Sequence, residues 1–366
     1  SKTSRLGSEA ASPGSDHRPG TEQMQHQQKQ PARGGDGVDV LFARRPIGRA
    51  PTGVRDPVNG GTPSEHPALP RSITCCGRTL QVQLEGGQGT AARLLSPAEA
   101  KDSITFNLDA FGSLVSDVAA AAAREGSGDR AACEEVAELW SVLAARSVPS
   151  TQMIVEENAK DLGDKVVVVA DQQTDGRGRS GNSWTSPAGC LTFSAMFHVN
   201  LLDISKLPVL QYAVTLAAVK AIDQEVARLL HDIDGPTYGL DSEPFSRIKW
   251  PNDVYIGRRK VGGVLCHASK HAGPHRGGGG SVLPGDTYRL TVGVGINVNN
   301  AEPSLCINQA VREAFPGAST KLTTREGLLA SMLPKIVHTC KATCLHNSFE
   351  PLHAEYYKHW LHSGQH

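Results

Sequence analysis

The stretch Asp171-Gln-Gln-Thr-Asp-Gly-Arg-Gly-Arg-Ser-Gly-Asn-Ser-Trp184-Thr-Ser-Pro187 concentrates groups that could handle an anion. It leaves a β-branched strand and carries three glycines and two arginines, then a Trp and a Ser-Pro. Glycine lets the backbone approach a ligand closely and move around it. Arg177 and Arg179, at alternate positions, can aim planar donor forks at phosphate or carboxylate. Such a loop suits wrapping an anionic, reactive intermediate and keeping water away from it. It lacks the Gly-Lys-Ser/Thr ending of a P-loop, so a nucleoside-triphosphatase is unsupported. Taken alone, the stretch also fits a solvated basic loop or an RNA-contacting Gly-Arg segment.

Lys249-Trp-Pro-Asn-Asp253 is followed by Lys260-Val-Gly-Gly263. Pro251 and Asn252 favour a turn bracketed by Lys249 and Asp253. A carboxylate there could hold Mg²⁺ beside phosphates, with a lysine offsetting phosphate charge. The bland alternative is a hairpin with a Lys–Asp salt bridge. Val292-Gly-Val-Gly-Ile-Asn-Val298 reads as a strand with a Gly-x-Gly, which close packing on a neighbour would also explain. Pro149-Ser150-Thr151-Gln152 precedes an apolar segment, and Ser150 or Thr151 could be a helix N-cap and nothing more.

The elements that must position these groups follow from periodicity. Lys165 to Ala170 is a buried-strand run, and Leu191 to Val199 is a second strand. Leu207 to Leu230 carries an apolar helical face with Leu210, Val214, Ala217, Ala218, Ala221, Ile222, Val226 and Leu229. Short strands are expected at 248–250 and 254–256, with longer ones at 260–267 and 288–294. Helices are expected at 307–314 and 325–343, the second bent at Pro334. Residues 79–84 alternate as a weak strand, and 114–146 are Ala-rich and read as helix, broken near Gly126-Ser127-Gly128. Residues 1–70 lack apolar periodicity and are expected to be disordered, while 71–145 form a small N-terminal region of unknown role. The 270–286 stretch reads as a flexible surface insertion. Strands with interspersed helices and few βαβ repeats point to an α+β fold.

Lys plus Arg and Asp plus Glu both number 37, so charge gives no sign of a nucleic-acid or membrane partner. No apolar run reaches the length of a membrane span. The eight cysteines are scattered without a zinc-ligand pattern, which fits reduced thiols.

Gly176-Arg-Gly-Arg-x-Gly181-x-x-Trp184, Lys249-Trp-Pro-Asn-Asp253, Lys260-x-Gly-Gly263 and Gly295-Ile-Asn297, in this order, resemble the catalytic domain of biotin–protein ligases (holocarboxylase synthetases) over roughly residues 147–300. Tyr356-Tyr357 to Trp360-Leu361-His362-Ser363 is similar to the plant and algal type. The resemblance implies a mixed, mostly antiparallel sheet with flanking helices, related to class II aminoacyl-tRNA synthetases, over 146–366. It implies that Ser150, Thr151, Gln173, Gly176, Arg177, Lys260 and Gly263 bind biotin. It further implies that Arg179, Trp184, Lys249, Asn252 and Asn297 serve the nucleotide, and that Asp253 holds Mg²⁺. Lys260, Arg177 and Arg179 are the implied catalytic groups.

The implied reaction joins biotin and ATP as biotinyl-5'-AMP and transfers biotin to a lysine of a carrier domain. Such domains belong to biotin-dependent carboxylases such as acetyl-CoA carboxylase. The implied location is cytoplasmic, with plastid or mitochondrion as alternatives, and a homo-oligomer is compatible. Two departures stand out. Asn182 replaces a frequent third arginine, and the chain ends at His366 where family members continue into a small SH3-like domain. The competing readings are a lipoate ligase or transferase, a biotin-binding chain that cannot transfer, and a nucleic-acid-binding module built on 176–181.

Overall fold

Runs of β-branched and apolar residues set the strands, and the computed structural model assembles them into one sheet. It describes residues 40–44, 69–75, 78–84, 105–231, 243–271, 286–302, 304–318 and 322–362. In chain order the first elements are β1 (Val40–Arg44), β2 (Ser72–Cys75), β3 (Arg78–Leu84), α1 (Leu108–Glu125), α2 (Arg130–Leu139) and β4 (Ser141–Val148). Then come α3 (Thr151–Glu157), α4 (Ala159–Leu162), β5 (Val166–Arg177), β6 (Ser183–Ser186), β7 (Cys190–Leu201) and α5 (Leu207–His231). The chain continues with β8 (Ser246–Lys249), β9 (Asp253–Ile256), β10 (Arg259–Lys270) and β11 (Asp286–Asn297). It closes with α6 (Ile307–Ala314), α7 (Arg325–His346) and α8 (His353–His359).

The strand order is β2-β3-β1-β4-β5-β7-β11-β10-β9-β8, with β6 paired to β5. Only β1–β3 and β4–β5 are parallel, so the sheet is mixed and mostly antiparallel, with flanking helices, as the α+β reading implied. The valine run of β5 is buried because both of its faces are covered. Val167 and Val169 join the core beneath α1, α5 and α7, while Val166, Val168 and Ala170 join the core beneath α3 and α4. Central strands covered on both sides lose the polar–apolar alternation of half-exposed ones.

Several expectations are corrected. Residues 141–146 form strand β4 rather than the end of an alanine-rich helix. Burial between β1 and β5 overrides the helical propensity of Ala144 and Ala145. Val40–Arg44, inside the stretch expected to be disordered, is strand β1; residues 1–39 and 45–68 lie outside the described residues. The 71–145 region is not a separate unit. Its strands continue the sheet, and Phe106, Phe111, Val136 and Trp140 enter the main core.

Helix α5 is buried on more than one face, because Ala213, Leu216 and Val219 are as inaccessible as the predicted stripe. α7 runs through Pro334 as one element. Of the 270–286 insertion, 272–285 lie outside the described residues, as does Cys76. Among the described residues, Cys133, Cys190, Cys266, Cys306, Cys340 and Cys344 form no disulfide. No described helix is long and apolar enough to cross a membrane.

Candidate functional site

The site lies on the sheet face that carries α3, beyond the small core of that face. Strand register explains its floor. Directly paired residues of antiparallel neighbours share a face, and β5, β7, β11 and β10 align Ala170, Thr192, Gly295 and Gly263 in one row. Val168, Ser194, Gly293 and Leu265 form the next row. Large side chains would fill this floor; three glycines and two hydroxyl residues leave it open. The resulting cavity has a volume of about 310 Å³, within the range of small-molecule sites.

The predicted Gly-Arg loop is largely strand. β5 continues to Arg177, a single tight turn spans Arg179–Gly181, and β6 returns, so the stretch is a hairpin standing over the floor. Ser180 (φ 57°) and Gly181 (φ 79°) take the left-handed backbone that closes the turn. Gly176 is required for strand pairing rather than for a ligand. A Cβ there would lie 2.4 Å from the Trp184 carbonyl oxygen, and Gly176 is absent from the cavity wall. Arg177, Arg179 and Trp184 do line the cavity.

Trp184 lies directly on Gly295. A Cβ at 295 would meet Trp184 Nε1 at 2.5 Å and Cε2 at 2.6 Å. Gln152 lies similarly on Gly293, its Oε1 2.4 Å from where that Cβ would stand. The Gly-x-Gly therefore makes room for two large side chains above the sheet. Gly295→Ala should displace the indole and destabilise by about 1–3 kcal/mol, the usual cost of overpacking. A shifted Trp emission maximum together with a lower melting temperature would verify this, whereas unchanged emission would refute it.

At the polar end, Ser150 occupies the N-cap position of α3, but its side chain makes no capping hydrogen bond. The cap comes from β5: Thr151 donates its backbone N–H to Gln173 Oε1 at 2.8 Å, and its hydroxyl lies 3.1 Å from the same atom. Thr151 Oγ1 also pairs with Ser194 Oγ at 2.9 Å, and Gln173 Nε2 donates to Ser186 Oγ at 3.1 Å. Ser150, Thr151 and Gln173 thus all reach the cavity, with most of the hydrogen-bonding capacity of Thr151 and Gln173 spent on neighbours.

At the cationic end, Lys260 Nζ lies 2.7 Å from Asp253 Oδ1 and 5.6 Å from the Trp184 ring centroid. A register shift between Lys260 and Gly262 changes the strand's parity. It lets Lys260 and Gly263, three apart, line the same cavity. Asn252 is fixed by donating Nδ2–H to the Val264 carbonyl at 2.8 Å, and its Oδ1 accepts from Arg179 at 3.4 Å.

Besides Gly176, two residues with expected ligand roles, Lys249 and Asn297, do not line the cavity. Lys249 is exposed beside Tyr255, its Nζ 3.5 Å from the phenol oxygen, and does not line the cavity. Asn297 is buried and structural: it donates to Ser304 Oγ at 2.8 Å and to the Leu305 carbonyl, and accepts from Cys190 Sγ. It ties β11 to the loop before α6 and is not among the residues lining the cavity. Asp253 is the ion-pair partner of Lys260. Among the described residues, no group of three or more His, Cys, Asp or Glu could hold a metal ion. A single carboxylate at the cavity, such as Asp253, could hold Mg²⁺ only together with substrate phosphates.

Gln152, Thr192, Ser194, Gly293 and Gly295 also line the cavity and were missed as site residues. Thr192 and Ser194 carried a readable signal, two hydroxyl residues at i, i+2 in the otherwise apolar run from Cys190 to Phe197. No cysteine lines the cavity. Burial pushes the thiol of Cys190, beneath Asn297, up to about 12, which makes it a poor nucleophile at neutral pH.

Residues 144–277 match the model of the Biotin/lipoate A/B protein ligase family. "Biotin--protein ligase 2" of Arabidopsis thaliana is 32% identical over 216 residues, covering 59% of this chain and 57% of that protein. "Biotin--protein ligase 1, chloroplastic" of the same plant is 33% identical over 216 residues, covering 59% and 51%. The chain therefore spans about half the length of these relatives. Among solved structures, a biotin protein ligase from Aquifex aeolicus in complex with biotin and ATP is similar at 27% identity and a TM-score of 0.42. That match covers 60% of this chain and 78% of the other. The residues matched by that family model, 144–277, supply every wall of the cavity except β11.

Proposed function

We propose that this chain is a biotin–protein ligase. It activates biotin with ATP to biotinyl-5'-AMP and passes the biotinyl group to a lysine of a biotin carboxyl-carrier domain. One observation carries the reading: within a family-matched segment, a single cavity joins a hydroxyl- and amide-lined end to three cations, Arg177, Arg179 and Lys260.

The chemistry needs that polarity. A carboxylate oxygen attacks the α-phosphorus of ATP, the bond from that phosphorus to the α,β-bridging oxygen breaks, and pyrophosphate leaves carrying that oxygen. Both reactants are anionic, so cations at the meeting point lower the barrier as charge redistributes. Holding both in one cavity removes much of the entropic cost of their encounter. A lysine amine then attacks the acyl carbon, AMP leaves with the anhydride oxygen, and the amine gives up a proton.

Lys260 is positioned for the first step. Its ion pair with Asp253 is partly exposed, 41% and 26% for the two side chains. Water screens such a pair, and its net worth is about 0–1 kcal/mol. An incoming carboxylate or phosphate can therefore recruit the ammonium at little cost. Asp253 keeps Lys260 extended along the cavity until then. Arg177, in the last pair before the hairpin turn, and Arg179, in the turn, would cover the adenylate. The acceptor would be a carrier domain of a biotin-dependent carboxylase, and the plastid stays within the proposal because one relative carries that location in its name.

Incubation with biotin, MgATP and a carrier domain, read by mass spectrometry, tests the activity. A biotinyl adduct on one carrier lysine is expected, and a lipoyl adduct formed in its place under matched conditions would assign the chain to the other half of the family. Arg177→Gly should remove charge-assisted contacts of about 1.5–3 kcal/mol, so the adenylate escapes roughly 10–100 times faster. Biotin should then appear on lysines of a bystander protein. If the variant retains its adenylate as long as the parent, Arg177 does not cover it.

A further inference from the structure

The stretch from Tyr356 to Ser363, similar in sequence to the plant and algal type, supplies no wall of the cavity. It lies instead against β8, the last strand in the sheet order, which pairs with β9 on one edge. On the other edge the residues after α8 stand in for a further strand. Ile248 bridges Trp360 in parallel, and Leu361 donates its backbone N–H to the Ile248 carbonyl at 2.8 Å. Arg247 Nη1 adds a bond to the Lys358 carbonyl at 3.1 Å.

A buried cluster fixes this contact from the side of α5. Asp223 Oδ1 accepts from the Ser246 backbone N–H at 2.9 Å and from its hydroxyl at 2.7 Å. The second carboxylate oxygen of Asp223 lies 3.4 Å from His359 Nε2. His359 Nδ1 donates to the Glu355 carbonyl at 2.8 Å, one turn back in α8. Both ring nitrogens face acceptors, so the ring serves the contact as a double donor. Ser246 is fully buried and His359 is 4% exposed, and buried groups left without a partner are destabilising.

The strand fixed in this way leads directly into the site. Lys249, which ends β8, is the register partner of Asp253, and Asp253 is the carboxylate 2.7 Å from Lys260. The β8–β9 hairpin joins the rest of the sheet through four register pairs with β10, interrupted by a shift, and through Asn252 on Val264. We infer that His359 is a positioning residue for the Lys260–Asp253 end of the cavity, acting through Asp223 and Ser246 on the strand that launches the turn. It does not line the cavity itself. This rests on the ligase reading above and adds to it a residue more than 90 positions beyond the turn it controls. A displacement of about 1 Å among reacting groups can cost roughly 100-fold in rate, so a distant hold on this turn is felt in the chemistry.

The test compares the parent protein with His359→Leu and Asp223→Asn. Leucine removes both donors. Asparagine keeps a partner for each group, its amide oxygen for Ser246 and its N–H for His359 Nε2. Amide hydrogen exchange across 246–256 is followed by mass spectrometry, alongside biotin affinity by titration and pyrophosphate release with biotin and MgATP. In His359→Leu, exchange across 246–256 should quicken and pyrophosphate release should fall roughly 10-fold, while biotin affinity stays within about threefold. Asp223→Asn should stay within about threefold of the parent in all three readouts. Should His359→Leu fail to fold, Arg247→Ala loosens the same contact by one bond and carries the same signs at smaller size. Unchanged exchange across 246–256, or biotin affinity falling as far as the rate, would overturn the positioning role. Parent protein that releases no pyrophosphate with biotin would sink the ligase reading instead, and the exchange result would still judge the contact.

Discussion

Replacing Lys260 by alanine should slow pyrophosphate release in the presence of biotin and ATP by roughly 10²–10³-fold. That is the usual loss when one preorganised electrostatic contact to a transition state is removed. The folded protein should barely notice the change, because the Lys260–Asp253 pair is partly exposed and adds about 0–1 kcal/mol. Activity and stability therefore separate cleanly in this variant. Transfer from externally supplied biotinyl-5'-AMP should survive far better than its formation, since repulsion between two anionic reactants exists only in the first step. Equal loss in both half-reactions would move Lys260 from activation to general ligand binding. Asp253→Asn is the companion variant: it releases the ammonium, and its effect on the first step should be several-fold smaller than that of Lys260→Ala.

The second large effect concerns stability. Arg325, at the start of α7, places its guanidinium 2.7 Å from Asp171 Oδ1 and 2.9 Å from Thr105 Oγ1. Thr105 in turn donates its backbone N–H to Asp171 Oδ2 at 2.6 Å. The side chains of Arg325 and Asp171 are only 10% and 6% exposed. Arg325→Met should cost about 3–5 kcal/mol, because Asp171 is left as an uncompensated buried charge. For a domain of this size that lowers the melting temperature by roughly 10 °C.

Pairing Arg325→Met with Asp171→Leu should recover much of the loss, since removing both charges removes the desolvation penalty as well. Additive losses in the double variant would mean that the ion pair is not the source. The network also bears on the site. Asp171 precedes Gln173 by two residues in β5, so its anchoring fixes the strand from which the hairpin and the α3 cap project.

Side-chain type and period decided the elements wherever local preference and tertiary demand agreed. The valine run before Asp171, the long helix from Leu207 and the short strands around the Lys249–Asp253 turn were all readable. Between them they imposed an α+β sheet. Where the two disagreed, the fold prevailed. Ala144 and Ala145 favour helix, yet they sit in a central strand because that slot must be filled by small residues buried on both sides. The Gly-Arg stretch looks like a loop from its composition, yet hydrogen bonding to β6 makes most of it strand.

For the site, the sequence by itself determined the inventory: two arginines and a lysine, a hydroxyl-rich turn, a tryptophan and glycines at fixed intervals. Those residue types set what chemistry a site could offer. Only the tertiary structure decided which of them are available. Asn297 is consumed by Cys190, 107 residues away in the chain, and Gln173 by Thr151 at a separation of 22. Asp253 is consumed by Lys260, and Lys249 stands outside the cavity. Thr192, unremarked in the sequence, lines the cavity, with its hydroxyl buried and unpaired among the described residues. The reason is physical: residue type fixes how many hydrogen bonds or charges a group can offer. Packing between distant segments fixes how many remain once the protein's own groups have been satisfied.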